Sequence, residues 1–344
     1  MRRLWLIICG IGAMFSAEFA DFRVLCMRST VCAQDIVVSE AMTETMIVST
    51  EKDKSISIWC KKSDTLRDSL LLLGDWRASV QSVVFPAPVA PTDADLEALY
   101  SLPNLHKVAI HSGHFVDDAI IIKLARLENL SELAVSICSM TNITGEGIET
   151  LGSYKRLKKL LIRGNFSGND LAGLSKLEQL QELNLGLTLP IVSKKELAFL
   201  EKLTELRKLT LISGSHVTVD TGLVLSQFTD DSLSRLQNLD QLEELVIYCN
   251  SISGKELSHL SYLKSLRRLE IHRSSYCFIE DSLRPKGREF DEIRRSSKPL
   301  DDAGIEVLKS LHQLKSLDLC NTGITNVHSL QQALPGCQIN INWK

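Results

Sequence analysis

Aliphatic residues recur along this chain with a fixed inner spacing, Leu-x-x-Leu-x-Leu or its Val, Ile and Phe equivalents. Nine copies align: Val80-Val83-Phe85, Leu105-Val108-Ile110, Leu130-Leu133-Val135, Leu157-Leu160-Ile162, Leu180-Leu183-Leu185, Leu206-Leu209-Leu211, Leu242-Leu245-Ile247, Leu266-Leu269-Ile271 and Leu314-Leu317-Leu319. Their first positions are separated by 25, 25, 27, 23, 26, 36, 24 and 48 residues. The last two aliphatics of each copy stand two apart. On a strand they share one side, and the residue between them faces the other way. Each copy therefore predicts a short half-buried strand. A second pattern lies between the strands, with pairs three apart: Leu96 and Leu99, Ile148 and Leu151, Leu171 and Leu174, Leu197 and Leu200, Leu233 and Leu236, Leu257 and Leu260, Ile305 and Leu308. That step predicts one buried face on a short helical stretch. Thr92, Asn169-Asp170, Asp230-Asp231 and Asp301-Asp302 precede such pairs and are expected as amino-terminal caps.

One unit of this kind cannot bury its aliphatic row alone, so stability must come from stacking. Six of the eight intervals fall within the length range of leucine-rich repeats. From about residue 76 onward the chain resembles the leucine-rich repeat family. Its outer pairs, as in Asp302-Ala303-Gly304-Ile305, resemble the ribonuclease-inhibitor-like class. The resemblance implies an α/β curved solenoid, with parallel strands on the concave face and short helices or 3₁₀ turns on the convex face. The family pattern also wants Asn, Cys or Thr three residues beyond the last strand aliphatic, bonding the turning backbone. This chain offers Gly113, Cys138, Asn165, Thr188, Gly214, Asn250, Ser274 and Thr322 there. The two glycines lack such a side chain, and their turns are expected to be looser.

The expected organisation is an export signal over 1–33, a lead-in and amino-terminal cap over 34–75, and a repeat domain over 76–344. Within the cap, Ile56 to Trp59 and Leu66 to Trp76 supply apolar cover, while 34–55 reads as a linker. The two long intervals place insertions near 216–229 and 274–299, in outer loops. The second holds seven basic against five acidic residues between Arg273 and Lys298, a net of 7 − 5 = +2. It is either a solvated loop or a contact element. Residues 335–344 turn at Pro335-Gly336 and alternate through Ile339 and Ile341, as a carboxyl-terminal cap would.

Composition narrows the function. Leu supplies 55 of 344 residues and aromatics only 6%, so the core is aliphatic. A net charge of −3 gives no cationic field for nucleic acid or anionic lipid. Met1-Arg2-Arg3 and the apolar run Leu4 to Ala17, 14 residues long, have the form of an export signal too short to span a bilayer. Val31-Cys32-Ala33 offers a cleavage site, and a buried or frayed amino-terminal helix is the alternative. The mature chain is expected to carry no membrane span. The nine Cys form neither a CxxC pair nor a dense framework, and most are expected as small buried hydrophobes. Sequons at Asn129, Asn142 and Asn165 matter only in a eukaryotic secretory route. No hydrolase elbow, phosphate loop, zinc-protease or kinase signature occurs in the sequence, and no cofactor is expected. His111 and His114 lack a third ligand nearby, so exposed surface is their expected role. His111 and His272 fall six stacking steps apart, about 29 Å.

What remains is the concave face. Between the strand aliphatics stand Ala109, Ala134, Leu161, Asn184, Thr210, Val246, Glu270 and Asp318. After them stand His111, Ser136, Arg163, Gly186, Ile212, Tyr248, His272 and Cys320. Arg163, Ile212, Tyr248, Glu270, His272 and Asp318 form the candidate binding set, with apolar groups rimmed by charge. Ordinary scatter of apolar residues on a sheet is the competing explanation. The leading expectation is a non-catalytic, exported module that binds a protein or peptide on its concave face. An intracellular adaptor or substrate-recruiting subunit of a larger complex is the alternative.

Overall fold

The computed structural model describes residues 46–50, 55–63, 65–86, 89–111, 116–135, 143–164, 166, 169–187, 191–213, 217–218, 222–223, 227–228, 231–249, 252–273, 300, 302–320, 322, 324 and 327–342. The expected export signal, the 274–299 insertion and His114 lie outside them.

Twelve strands form one sheet in chain order: β1 (Met46–Thr50), β2 (Ile56–Cys60), β3 (Val80–Phe85), β4 (Lys107–Ile110), β5 (Glu132–Val135), β6 (Lys159–Gly164), β7 (Glu182–Leu187), β8 (Lys208–Ser213), β9 (Glu244–Cys249), β10 (Arg268–Arg273), β11 (Ser316–Cys320) and β12 (Gln338–Asn342). From β2 to β12 every neighbouring pair is parallel. Only β1 runs antiparallel, against β2. The register places the aliphatics of one rung beside those of the next, as in Leu183↔Leu209 and Leu209↔Leu245. These side chains are buried in one continuous core.

Two further backbone devices repeat from rung to rung. Leucines three apart close successive turns, with the Leu177 N–H donating to Leu174 O and the Leu180 N–H to Leu177 O. One carbonyl then accepts two N–H groups from the next rung: Lys158 O takes Gln181 and Glu182, and Gln181 O takes Arg207 and Lys208, all at 2.8–3.0 Å. The leading aliphatic of each copy thus fills the core at the corner where the chain enters its strand.

The convex layer is short helices: α1 (Leu66–Leu72), α2 (Asp93–Leu99), α3 (Asp118–Leu124), α4 (Gly145–Leu151), α5 (Gly254–Leu257), α6 (Asp302–Ser310) and α7 (Val327–Ala333). Between α4 and α6 come 3₁₀ stretches at Asp170–Lys176, Ala198–Lys202, Ser232–Leu236 and Ser258–Tyr262. Thr92 caps α2 in a reciprocal box with Asp95. Asn169 and Asp231 do not cap through their side chains, because the stretches they precede are 3₁₀. Asp117, Thr144 and Ser253 cap α3, α4 and α5 instead.

The repeat extends further than the nine copies. Ile56 and Ile58 of β2, both 0% exposed, pair with Val80 and Val83 as a full parallel rung, and β12 adds another beyond β11. Met46–Thr50, inside the stretch expected as linker, forms the edge strand β1. Part of the first insertion folds back: Gln227–Phe228 pairs with Ile191–Val192, and Phe228 joins the core. Of the expected turn-bonding residues, Thr322 alone lies among the described ones. It is 1% exposed, but its hydroxyl has no hydrogen bond among the described residues; its carbonyl accepts the Leu300 N–H at 2.9 Å.

Candidate functional site

The solvent-facing side chains of the parallel strands line a trough of about 910 Å³. The strand pairing sorts them into three rows. The first row, just before the second rung aliphatic, alternates in sign across seven consecutive strands: Lys107↔Glu132↔Lys159↔Glu182↔Lys208↔Glu244↔Arg268. Glu132 is shared by Lys107 at 3.5 Å and Lys159 at 3.3 Å; Lys159 also meets Glu182 at 3.5 Å, and Lys208 meets Glu244 at 3.1 Å. Burial works against the Lys159 ammonium, but Glu132 and Glu182 outweigh it and hold its pKa above the usual lysine value. This row escaped the sequence reading, which took only the positions between and after the rung aliphatics. The alternation in sign at one repeat position was its signal.

The middle row begins apolar. Trp59, Val84, Ala109, Ala134 and Leu161 lie in register, and the last four form a small buried cluster separate from the main core, with Trp59 packed against it. Polar Asn184 and Thr210 follow, then Val246, Glu270 and Asp318.

The third row holds Arg163, Gly186, Ile212, Tyr248, His272 and Cys320 on adjacent strands. A Cβ on Gly186 would come within 2.6 Å of Arg163 Cγ. The missing side chain is what lets the Arg163 stem lie across the neighbouring strand.

Of the six candidate residues, the structure brings three, Tyr248, Glu270 and His272, into one cluster, joined by Arg268. Tyr248 and His272 stack with ring centroids 4.4 Å apart and 17° between planes. His272 Nε2 lies 3.0 Å from Glu270 Oε2, and Arg268 Nε donates to Glu270 Oε1 at 2.6 Å. These contacts fix a carboxylate that is only 9% exposed. The His272 hydrogen bond, followed by the Arg268 charge and hydrogen bond, outweighs burial and holds the Glu270 carboxyl below the usual range. Ile212 borders Tyr248, and Asp318 borders Glu270 on β11. Arg163 stands apart, three strands from Tyr248, or about 14 Å.

Cys320 is the in-register neighbour of His272 on β11, so Glu270, His272 and Cys320 fall on two adjacent strands.

No family model matches the chain. It is 33% identical over 81 residues to ATP synthase subunit s, mitochondrial, of Homo sapiens, covering 23% of this chain and 38% of that protein. The Rattus norvegicus protein is 29% identical over 93 residues, covering 26% and 44%. The chain spans less than half the length of these curated relatives. Among solved structures it is similar to internalin C2 of Listeria monocytogenes, with a TM-score of 0.38 and 20% identity over 67% of this chain and 77% of that one. A second internalin of that organism gives 0.39 and 23%, over 78% and 77%. The architecture is established by this chain's own register, in which eleven parallel rungs repeat one aliphatic spacing in front of a convex helical layer. The chain is a leucine-rich repeat solenoid.

Proposed function

We propose that this chain is a non-catalytic binding module, exported from the cell, that takes a protein or peptide partner in its concave trough. The observation that carries the reading is that the trough's side chains are already ordered. The charged row is paired laterally, Tyr248 is stacked, and Glu270 is held from two sides. Side chains fixed before contact lower the ordering cost of association. A photo-crosslinking residue at Thr210, in the trough, is expected to give a discrete adduct in cells. The same residue at Tyr262, exposed on the convex side, is expected to give none. Adducts from Tyr262 alone would overturn the reading.

A second reading, an intracellular adaptor or subunit of a larger complex, is favoured by a separate observation. Cys60, Cys249, Cys320 and Cys337 are free thiols, which suits a reducing compartment. The curated relatives are also named as subunits of an assembly. Fusing residues 1–35 to a reporter separates the two, since only the first reading expects the reporter outside the cytoplasm.

A further inference from the structure

We propose that two copies of this chain join through β12, pairing these strands antiparallel about Asn340. Among the described residues no strand pairs with the outer edge of β12. From β3 to β11 the two core-facing positions of each rung are at most 2% exposed. Ile339 and Ile341 continue those positions beyond Leu317 and Leu319, yet they are only partly buried against the core. The surface around this edge also lacks charge. From Leu319 to Trp343, 25 consecutive residues include no Asp, Glu, Lys or Arg, the longest such stretch in a chain that is 24% charged. It spans α7 and β12, where Gln331, Gln332 and Gln338 are exposed. Sheet edges that face water are ordinarily guarded by Lys, Pro or another charge, and Gln338–Asn342 carries none of these.

The strand itself identifies a second copy as the occupant. Gln-Ile-Asn-Ile-Asn alternates symmetrically about Asn340, so it complements itself when reversed. The Gln338 N–H donates inward to Lys315 O at 2.9 Å, and the alternation along a strand then turns the N–H and C=O groups of Ile339 and Ile341 outward. In an antiparallel pair centred on Asn340, Ile339 stands opposite the partner's Ile341, and each such pair exchanges two backbone bonds, about four in all. Gln338 stands opposite the partner's Asn342, and Asn340 opposite the partner's Asn340. Apolar meets apolar on the core side, since Ile339 and Ile341 follow Leu317 and Leu319; amide meets amide on the trough side, where Asn340 follows Asp318. The two Asp318 carboxylates fall three strand steps apart, about 14 Å, which is beyond the screening length at physiological salt. The two-fold axis stands perpendicular to the sheet. The contact is therefore isologous and closes at two copies, with both troughs opening on the same side. It is independent of what the trough binds.

Sedimentation velocity of the full-length chain is expected to show a monomer–dimer equilibrium across micromolar concentrations. Gln338→Lys with Asn342→Lys sets like charges opposite each other and should weaken the dimer by about tenfold. Gln338→Lys with Asn342→Glu sets opposite charges there and should keep it, so a general loss of folding cannot pass for the expected result. Asn340→Cys places two thiols at a non-hydrogen-bonded pair, with Cα atoms about 4.5 Å apart, within disulfide range. With a mild oxidant added, it should give a linked dimer whose bond maps to 340 in both copies. Glu128→Cys, exposed on the turn before β5, should give none. A chain that stays monomeric, equal behaviour of the two charged variants, or a link that maps to any other pair overturns the proposal.

Discussion

His111 makes this fold sensitive to mild acid in a way that can be calculated. The side chain is partly buried at the end of β4, and burial, with Arg163 and Lys107, lowers its pKa from 6.5 to about 4. In the unfolded chain it returns to the ordinary value. Between the two pKa values the unfolded state binds more protons, so stability falls as pH falls through 6.5 and levels off below about 4. At pH 5 the unfolded imidazole is almost fully charged and the folded one almost neutral, a difference of about 2 kcal/mol. The full shift corresponds to about 3 kcal/mol. Urea unfolding followed by circular dichroism at pH 7 and pH 5, on the parent chain and on His111→Gln, isolates this group from the other histidines. The parent is expected to lose about 2 kcal/mol more than the variant across that interval. Equal losses in both chains, or an NMR titration placing folded His111 near 6.5, would refute the reasoning.

Two further substitutions probe the packing between rungs. Gly173→Ala places a Cβ within 2.6 Å of the Glu149 backbone, so the 3₁₀ stretch must separate from α4; a loss of about 1–3 kcal/mol is expected in urea unfolding. Glu132→Lys replaces the shared carboxylate and sets three ammoniums on adjacent strands. It should cost about 1 kcal/mol at low ionic strength and recover in part as salt is added, a dependence the parent should lack.

The interior of the solenoid was legible because it obeys one local rule many times. Leu183 and Leu185, or Leu245 and Ile247, stand two apart after a leading Leu, and nothing else in the chain competes with that spacing. The terminal rungs were harder to see for the same reason. In β2 Ile56 pairs with the leading Val80 but stands only two residues before Ile58, across a register shift, and β12 has Gly336 where a leading aliphatic would stand, so neither completes the triplet spacing although Ile56, Ile58, Ile339 and Ile341 keep the step of two. Capping was legible only where a helix forms. Thr92 caps because α2 lets it, whereas Asn169 and Asp231 precede tighter turns that do not use their side chains. In the trough, Tyr248, His272 and Glu270 were placed by repeat position alone. Their mutual contacts depend on rotamers that no spacing encodes. Gly186 looks inert in the sequence and acquires a meaning only once the stem of Arg163 is seen lying over it.

The reversed direction of β1 bears on how copies of this molecule meet. A stack of like-oriented rungs has no intrinsic stopping point, since the outer edge of each offers the same row of amide and carbonyl groups as the last. On β2 that edge is occupied by a strand running the other way. A second molecule stacking end-on against β1 would have to pair its final rung antiparallel there, so the uniform parallel ladder that runs from β2 to β12 could not be extended through that edge without a change of hydrogen-bond pattern.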